Sequence, residues 1–227
     1  MKITWLGQAG LLFEKNGKTV MIDPYLSNSV VKVNPNNWRR VPVDEALFDV
    51  TPDVMIFTHD HLDHYDPETA PRFFAKTDKQ MLVLCPASVW QKARTHGNGH
   101  NYVQFDAFTE WTAYGLRFSA VRAEHSDAFA IGVIIEDLET GKTYYVTGDT
   151  LYNKKIFADL PDRIDVIFLP VNGVGNNMNA TDAARFFKAS GAKIAVPLHV
   201  GMFDENTPDL FEAEPRVLPE IYKEIKL

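Results

Sequence analysis

The stretch IFTHDHLDHYDPET, residues 56–69, decides how the chain is interpreted, because it gathers histidines and aspartates directly after an apolar run. Within eight positions it contains His59, Asp60, His61, Asp63, His64 and Asp66. Histidine and carboxylate side chains are costly to bury unless a cation satisfies them. The stretch therefore predicts a metal site whose remaining ligands lie elsewhere in the chain.

Other candidate ligands each follow a short apolar run that is typical of a buried strand. The pairs of run and ligand are VMIF (54–57) with His59, LRFSAV (116–121) with His125, TYYVT (143–147) with Asp149, and IAV (194–196) with His199. In layered α/β proteins the ends of several strands converge at one edge, where sites are commonly built. We expect four strands to bring these side chains to one rim.

Capping signals predict helices between the strands. Asp66 and Pro67 offer an N-cap and a first helical position. The segment 86–97 is predicted to be a helix that ends at Gly97, and Asn179 is predicted to open a helix that stops at Gly191. The last segment, 214–227, predicts one helix or two short ones.

The spacing within the histidine-rich stretch predicts two ions rather than one. Alternate residues of an extended segment point to the same side, so His59 and His61 can bind one ion together. Asp63 and His64 are neighbours near the start of a helix, so they diverge and reach a second ion.

The three ligands from later strands complete this arrangement. His125 would complete the first site, His199 the second, and the two oxygens of Asp149 could bridge them. Such a pair of ions is expected to share a water or hydroxide that attacks an acyl or phosphoryl centre. Imidazole and carboxylate ligands without sulfur suit two divalent ions, zinc or manganese, and tolerate iron.

The motif THDHLDH (58–64), with the later histidines and aspartate, resembles the metallo-β-lactamase superfamily. The segments WLGQAGLLFEKNGKTVMIDPYLS (5–27), LPVNG (169–173) and NNMNATDAARF (176–186) resemble the branch that contains ascorbate-6-phosphate lactonase and related metal-dependent hydrolases. The resemblance implies an α/β fold, the four-layer αβ/βα sandwich, with a dinuclear site. It assigns His59, His61 and His125 to one metal and Asp63, His64 and His199 to the other, with Asp149 as the bridge. It also places Asp23, in IDP (22–24), behind the ligands as a supporting carboxylate.

The leading functional prediction is a hydrolase that acts on a small ester-type substrate, either a lactone or a phosphodiester. Asp149, as the metal bridge, and Asp63 are the predicted catalytic residues. Either Asp63 or a group behind the ligands would protonate the leaving oxygen, and the sequence does not decide between them. Arg39 and Arg40 are candidates for binding a substrate anion, although an arginine pair in a loop is more often solvated. Asn172 is a candidate hydrogen-bond donor to substrate, although a turn with Gly173 explains it equally well.

Two other functions remain open at this stage. One is an oxidoreductase with a single iron at His59, His61 and His125, and anaerobic metal analysis would distinguish it. The other is a non-catalytic module in which the metal only stabilises the fold. Structural zinc sites are usually closed and rich in cysteine, so this alternative ranks last.

Composition limits the classes of protein and partner. The 227 residues predict a single domain over 1–227, and the net charge of −7 argues against nucleic-acid binding. No window approaches the ~18 consecutive apolar residues of a membrane span. We expect a cytoplasmic protein with a small-molecule substrate, and the oligomeric state stays open. The lone cysteine, Cys85, is predicted to be a buried small apolar residue, and His96 and His100 to lie on the surface.

Overall fold

The computed structural model describes residues 1–227 and contains two six-stranded β-sheets. The first sheet consists of β1 (Lys2–Gly7), β2 (Gly10–Lys15), β3 (Lys18–Ile22), β4 (Val54–Ile56), β5 (Leu82–Cys85) and β6 (Asn101–Gln104). The second consists of β7 (Glu110–Ala113), β8 (Leu116–Arg122), β9 (Ile131–Asp137), β10 (Thr143–Val146), β11 (Val166–Pro170) and β12 (Ile194–Leu198). Three α-helices accompany them: α1 (Thr69–Phe74), α2 (Ala87–Ala93) and α3 (Ala180–Ser190).

The strands follow chain order across each sheet. In the first sheet β1, β2 and β3 are antiparallel, and β3 to β6 are parallel. In the second sheet β7 to β10 are antiparallel, and β10 to β12 are parallel. Each parallel part needs crossover connections, and α1, α2 and α3 lie in these connections.

Three apolar clusters define the layers. The central cluster joins side chains of both sheets, such as Phe13 of β2 and Phe168 of β11. The second cluster packs α1 and α2 on the outer face of the first sheet, and the third packs Phe186 and Phe187 of α3 on the outer face of the second sheet. The order helix, sheet, sheet, helix is the predicted four-layer αβ/βα sandwich, and the fold prediction is confirmed.

The helix signals mark two of the three helices closely. Asn179 caps α3 by accepting a hydrogen bond from Asp182 N–H at 2.9 Å, and Gly191 ends the helix with φ +69°. The segment 86–97 contains α2, followed by a short 3₁₀ turn before Gly97. The predicted start at Asp66 is early, because α1 begins at Thr69.

The predicted C-terminal helix over 214–227 is wrong. Pro215 and Pro219 disfavour a continuous helix there, and the segment instead passes the edges of both sheets, where Arg216 pairs with Ala195 of β12 and Glu224 pairs with Thr4 of β1. Tyr222 N–H donates to Trp5 O and Ile225 N–H donates to Ile3 O, at 2.7 and 2.8 Å. The segment therefore covers a sheet edge that would otherwise expose unpaired backbone groups.

His100 is buried, so its predicted surface position is also wrong. Its Nδ1 accepts a hydrogen bond from Met81 N–H at 3.2 Å, and its Nε2–H donates to Phe74 O at 3.0 Å. It thus ties α1 to the first sheet, whereas His96 is exposed as predicted. Cys85 is fully buried in β5 as predicted, and burial raises the pKa of its thiol.

None of the helices combines the length and the apolar character that a membrane crossing requires.

Candidate metal centre

Loops that follow four strands bring the predicted ligands together at one rim of the sandwich. These loops follow β4, β8, β10 and β12, and the donor atoms form three groups, each within 4.8 Å. The groups are His59, His61 and His125; His59, His64 and Asp149; and Asp63, His64 and His199. Two residues belong to more than one group, so the three groups form one continuous cluster.

The first group contains only imidazole nitrogens. His125 Nε2 lies 3.1 Å from His61 Nδ1, and the rings of His59 and His125 have centroids 4.6 Å apart. Burial, together with the charge of His64, lowers the pKa of His59 well below its usual value, and burial also lowers the pKa of His125. Neutral imidazole is the form that binds a metal.

The remaining donors, Asp63, His64 and His199 together with Asp149, make up what we call the second group, which mixes nitrogen and oxygen. His64 Nε2 and His199 Nε2 lie 3.3 Å apart, and Asp149 Oδ1 lies 3.3 and 3.2 Å from them. Asp63 Oδ2 lies 3.4 Å from His199 Nε2. Asp149 thus stands between the two ends of the cluster, where a bridging ligand would lie.

Carboxylates dominate the electrostatics of this second group. Burial alone would lower the pKa of His199, but the negative charges of Asp149 and Asp63, whose oxygens lie next to its ring, outweigh it and raise that pKa to about 10. Asp149 and Asp23 raise the pKa of His64 well above its usual value in the same way, against the effect of burial. Positive charge is therefore favoured at this point, and a divalent cation would supply it in place of protons.

Two buried atoms of the cluster have no hydrogen-bond partner, and they provide the test of whether the residues fit metal ions. They are His59 Nε2 and Asp149 Oδ1. Buried polar atoms without partners are rare and costly. Both atoms carry lone pairs and belong to the donor groups, so the residues fit divalent ions.

Asp23 and Thr58 hold the ring nitrogens that face away from the cluster. Asp23 accepts hydrogen bonds from Thr58 N–H at 2.8 Å, from the Thr58 hydroxyl, and from His64 Nδ1–H at 2.8 Å. The Thr58 oxygen in turn lies 3.1 Å from His59 Nδ1 and accepts its proton. One carboxylate therefore fixes the tautomers of a histidine in each group and leaves Nε2 of both as ligands.

The remaining ligands also have outer partners. Ser126 Oγ lies 3.2 Å from His61 Nε2, and the carbonyl of Asn176 lies 3.2 Å from His125 Nδ1. Asn177 Nδ2 donates to Asp149 Oδ2 at 2.7 Å, which leaves Oδ1 of Asp149 for the metals.

Asn172 lies behind His199 and touches the ring directly. Its Nδ2 is 3.0 Å from His199 Nδ1, while its Oδ1 is buried without a partner. Rotation of the amide by 180° would let Oδ1 accept the Nδ1 proton and leave Nε2 as the ligand. The structure therefore gives the candidate substrate residue Asn172 a contact that orients a predicted metal ligand.

Gly148 explains how Asp149 comes so close to the histidine-rich loop. Its φ is +60°, and a Cβ at this position would lie 2.8 Å from Ile131 O and 3.0 Å from Thr58 Cβ. Only glycine allows this backbone path without a clash.

The two candidate arginines are engaged elsewhere. Arg39 is 9% exposed, and its guanidinium donates to the carbonyls of Tyr25 and Val41 and to the Tyr222 hydroxyl. It is thus buried and bonded, rather than solvated or directed to a substrate. Arg40 donates to Phe203 O and pairs with Glu205, both at 3.2 Å.

Several residues that contact the predicted ligands were not predicted from the sequence, among them Thr58, Ser126 and Gln8. Thr58 and Ser126 are each adjacent to a predicted ligand, and this adjacency is the only signal the sequence contains for them. Gln8 lies far from the ligands along the chain.

Comparison with known proteins agrees with this geometry. The family model of the beta-lactamase superfamily domain matches residues 18–200. A metal-dependent hydrolase of Geobacillus thermodenitrificans is 31% identical over 211 residues, which cover 89% of this chain and 87% of the relative.

Solved structures show the same fold at lower identity. A metallo hydrolase from the archaeon Ignicoccus hospitalis has a TM-score of 0.76 at 21% identity, covering 98% of this chain and 96% of the other. An isothiocyanate hydrolase from Delia radicum gut bacteria has a TM-score of 0.75 at 20% identity, covering 100% and 99%. The match to the ascorbate-6-phosphate lactonase branch stays a prediction. The family match and the fold together show that this chain is a metal-dependent hydrolase of the metallo-β-lactamase superfamily.

Proposed function

We propose that the protein is a dinuclear hydrolase that cleaves a lactone or a related small ester. The observation that supports this most directly is the pair of buried, unpartnered donor atoms, His59 Nε2 and Asp149 Oδ1, within the cluster of seven predicted ligands. When bound, two divalent ions, zinc or manganese, would supply an ionised water as nucleophile and a Lewis acid for the carbonyl oxygen.

The second donor group favours two ions over the single iron of an oxidoreductase. Asp63, His64 and His199 have no role in a centre built only from His59, His61 and His125, yet their donor atoms also converge. In both groups, the ring nitrogen of each histidine that faces away from the cluster lies next to a hydrogen-bonding partner. The histidines of both groups are therefore oriented to bind a metal ion through the other nitrogen.

The contacts of Arg39 and Arg40, the two candidates for binding a substrate anion, favour a carbonyl substrate over a phosphodiester. A phosphodiester carries a negative charge, which arginine commonly binds by paired hydrogen bonds. Arg39 is fully engaged with protein groups, and Arg40 is paired with Glu205. The structural neighbour that hydrolyses isothiocyanates also acts on a substrate with an electrophilic carbon, in line with this choice.

Asp63 is the residue that we assign to protonation of the leaving oxygen. Its side chain is 18% exposed, compared with 5% for Asp149 and 6% for His199, so it is the most accessible donor of the second group. Burial alone would raise the pKa of Asp63, but the contact with His199 and the charges of His64 and His199 outweigh it and lower that pKa, so the carboxylate starts ionised. Asp63 Oδ2 faces His199 and Gln8, which leaves Oδ1 to take a proton from the attacking water and pass it to the leaving oxygen. An Asp63→Asn variant should lose more activity on an alkyl ester than on a p-nitrophenyl ester, because p-nitrophenolate leaves without a proton. Equal losses, at equal metal content, would contradict the assignment.

The proposal is tested with protein that is stripped of metal and reloaded with zinc or manganese. The substrates are γ-butyrolactone, p-nitrophenyl acetate and bis-p-nitrophenyl phosphate. We expect turnover of the lactone and the ester, loss of this turnover in Asp149→Ala, and unchanged turnover in the control Asp162→Ala. Asp162 is exposed and precedes β11, whereas the ligands follow the carboxyl ends of β10 and β12, which run parallel to β11. Turnover of the phosphodiester alone, or of none of the three, would contradict the proposed substrate class. One equivalent of iron and no hydrolysis would support the oxidoreductase instead.

A further inference from the structure

Gln8 occupies an unusual position in the tight turn between β1 and β2. It is 2% exposed and has φ +48°, a left-handed conformation that residues other than glycine seldom adopt. The Trp5 indole N–H donates to the Gln8 carbonyl at 2.9 Å, so the turn is held from the side of β1 as well. Strained residues that the surrounding structure maintains are concentrated at functional sites.

The contacts of Gln8 reach two ligands of the same group. Its side-chain Nε2 donates to Asp63 Oδ2 at 2.8 Å, and its main-chain oxygen accepts from His199 N–H at 3.1 Å. His199 itself has φ +67°, so both residues of this main-chain hydrogen bond have a left-handed backbone conformation. None of the hydrogen bonds of Gln8 reaches His59, His61 or His125.

The packing beside Gln8 keeps the turn against the loop that follows His199. Gly7 has φ +91°, and a Cβ there would lie 2.2 Å from Cε of Met202, a buried residue of that loop. The turn belongs to a paired hairpin of two strands, so its position is rigid. Asp63, in contrast, lies in a loop and needs an external partner to hold its carboxylate.

We propose that Gln8 is a positioning residue for one of the two metal sites. Its amide orients Asp63, its carbonyl holds His199, and both contacts serve the site of Asp63, His64 and His199. This inference rests on the proposed dinuclear function. It predicts that loss of the Gln8 amide weakens one metal site and leaves the other intact.

Titration of the full-length, metal-free protein with Zn²⁺ or Co²⁺, followed by calorimetry and by the Co²⁺ absorption spectrum, tests this. Gln8→Met removes the amide and keeps a side chain of similar size in the buried position. One of the two equivalents should bind about 10- to 100-fold more weakly, the range typical for loss of an outer partner of a ligand. The other equivalent should bind as in the wild type.

Asn16→Ala is the matched control. Asn16 lies in the turn between β2 and β3, has φ +49°, and donates its amide to Glu139 at 3.3 Å. The control thus removes the same kind of contact from the same kind of backbone, away from the ligands. It should bind both equivalents normally. If Gln8→Met does not fold, Gln8→Ala provides the same measurement, because it also keeps the main-chain bond to His199.

Each outcome of the titration has a distinct meaning. Unchanged affinity for both equivalents in the Gln8 variants would overturn the inference. Equal weakening of both equivalents would overturn it too, because it would show a general effect on the fold. A wild-type protein that binds only one equivalent would instead overturn the dinuclear proposal, and this result appears before any variant is made.

Discussion

The Thr58→Val substitution probes the hydrogen bonds behind the ligands most sharply. Valine has nearly the shape of threonine, so the change removes the hydroxyl and leaves the packing. Thr58 is fully buried, and its oxygen serves His59 and Asp23 together. Without it, the Nδ1 proton of His59 has no acceptor, and Asp23 keeps only the bonds from His64 and the backbone N–H of residue 58.

The expected magnitudes follow from these contacts. A buried donor without a partner costs about 1–3 kcal/mol, so the metal-free variant should unfold with a free energy lower by that amount. Loss of the outer partner of a ligand weakens metal binding about 10- to 100-fold. At about 1.4 kcal/mol for each factor of ten, this corresponds to about 1.4–2.8 kcal/mol of binding free energy. Both equivalents should weaken, since the network reaches a histidine in each group.

Urea unfolding of the metal-free protein and a zinc titration measure the two effects separately. Thr51→Val is the control, because Thr51 is 8% exposed and its hydroxyl donates to Asp78 at 2.9 Å, away from the ligands. The control should lose stability without a change in zinc affinity. Wild-type zinc affinity in Thr58→Val, or equal weakening in the control, would refute the reasoning.

Three further predictions concern the bridge, the metal and the opposite end of the sandwich. Asp149→Ala should lower the bound metal from two ions to one or fewer, measured by elemental analysis, with loss of turnover; two retained ions at wild-type turnover would contradict the role of Asp149. Chelation should leave the far-UV circular dichroism of the protein intact while abolishing activity, whereas unfolding on chelation would indicate a structural metal. Burial alone would raise the pKa of Asp137, but hydrogen bonds from Lys15 and from nearby N–H groups outweigh it and lower that pKa from 3.8 to about 2. Asp137→Asn should therefore cost about 2 kcal/mol in urea unfolding at pH 7. Because the folded pKa is depressed, this difference should be complete above pH 5 and shrink as the pH falls towards 2; a difference that grows in acid would contradict the assignment.

The ligands could be predicted from the sequence because their chemistry is local and uncommon. Histidines at alternate positions, followed by Asp63 and His64, suggest a geometry without knowledge of the fold. His125 and His199 each follow the end of an apolar run, which indicates that strand ends bring them to the same site. Most strands could be predicted because the buried strands of a sandwich core consist of apolar runs of four to six residues, which are easily recognised in the sequence.

The residues behind the ligands could not be predicted in the same way. Gln8 contacts Asp63 across 55 positions, and Asp23 contacts His64 across 41, so these pairs exist only after the first sheet has brought β1, β3 and β4 together. The resemblance to a family suggested a role for Asp23, but nothing in the residue type of Gln8 indicates its role.

Local propensity failed where tertiary contacts outweigh it. The C-terminal segment contains EIYKEIKL (220–227), a pattern that favours a helix, yet the open edge of β1 offers backbone hydrogen bonds to an extended chain. Strands β6 and β7 were not predicted, because they are partly exposed and their residues lack a long apolar run. His100 was assigned to the surface from its glycine-rich surroundings, although its ring fills a buried contact between α1 and β5.

Anomalous scattering from crystals of the zinc-loaded protein would show whether the seven side chains at the rim hold a pair of ions. We expect two zinc peaks a few ångströms apart, with Asp149 in contact with both. One peak should be bound by His59, His61 and His125, and the other by Asp63, His64 and His199. A single peak, or zinc bound away from these side chains, would contradict the dinuclear centre.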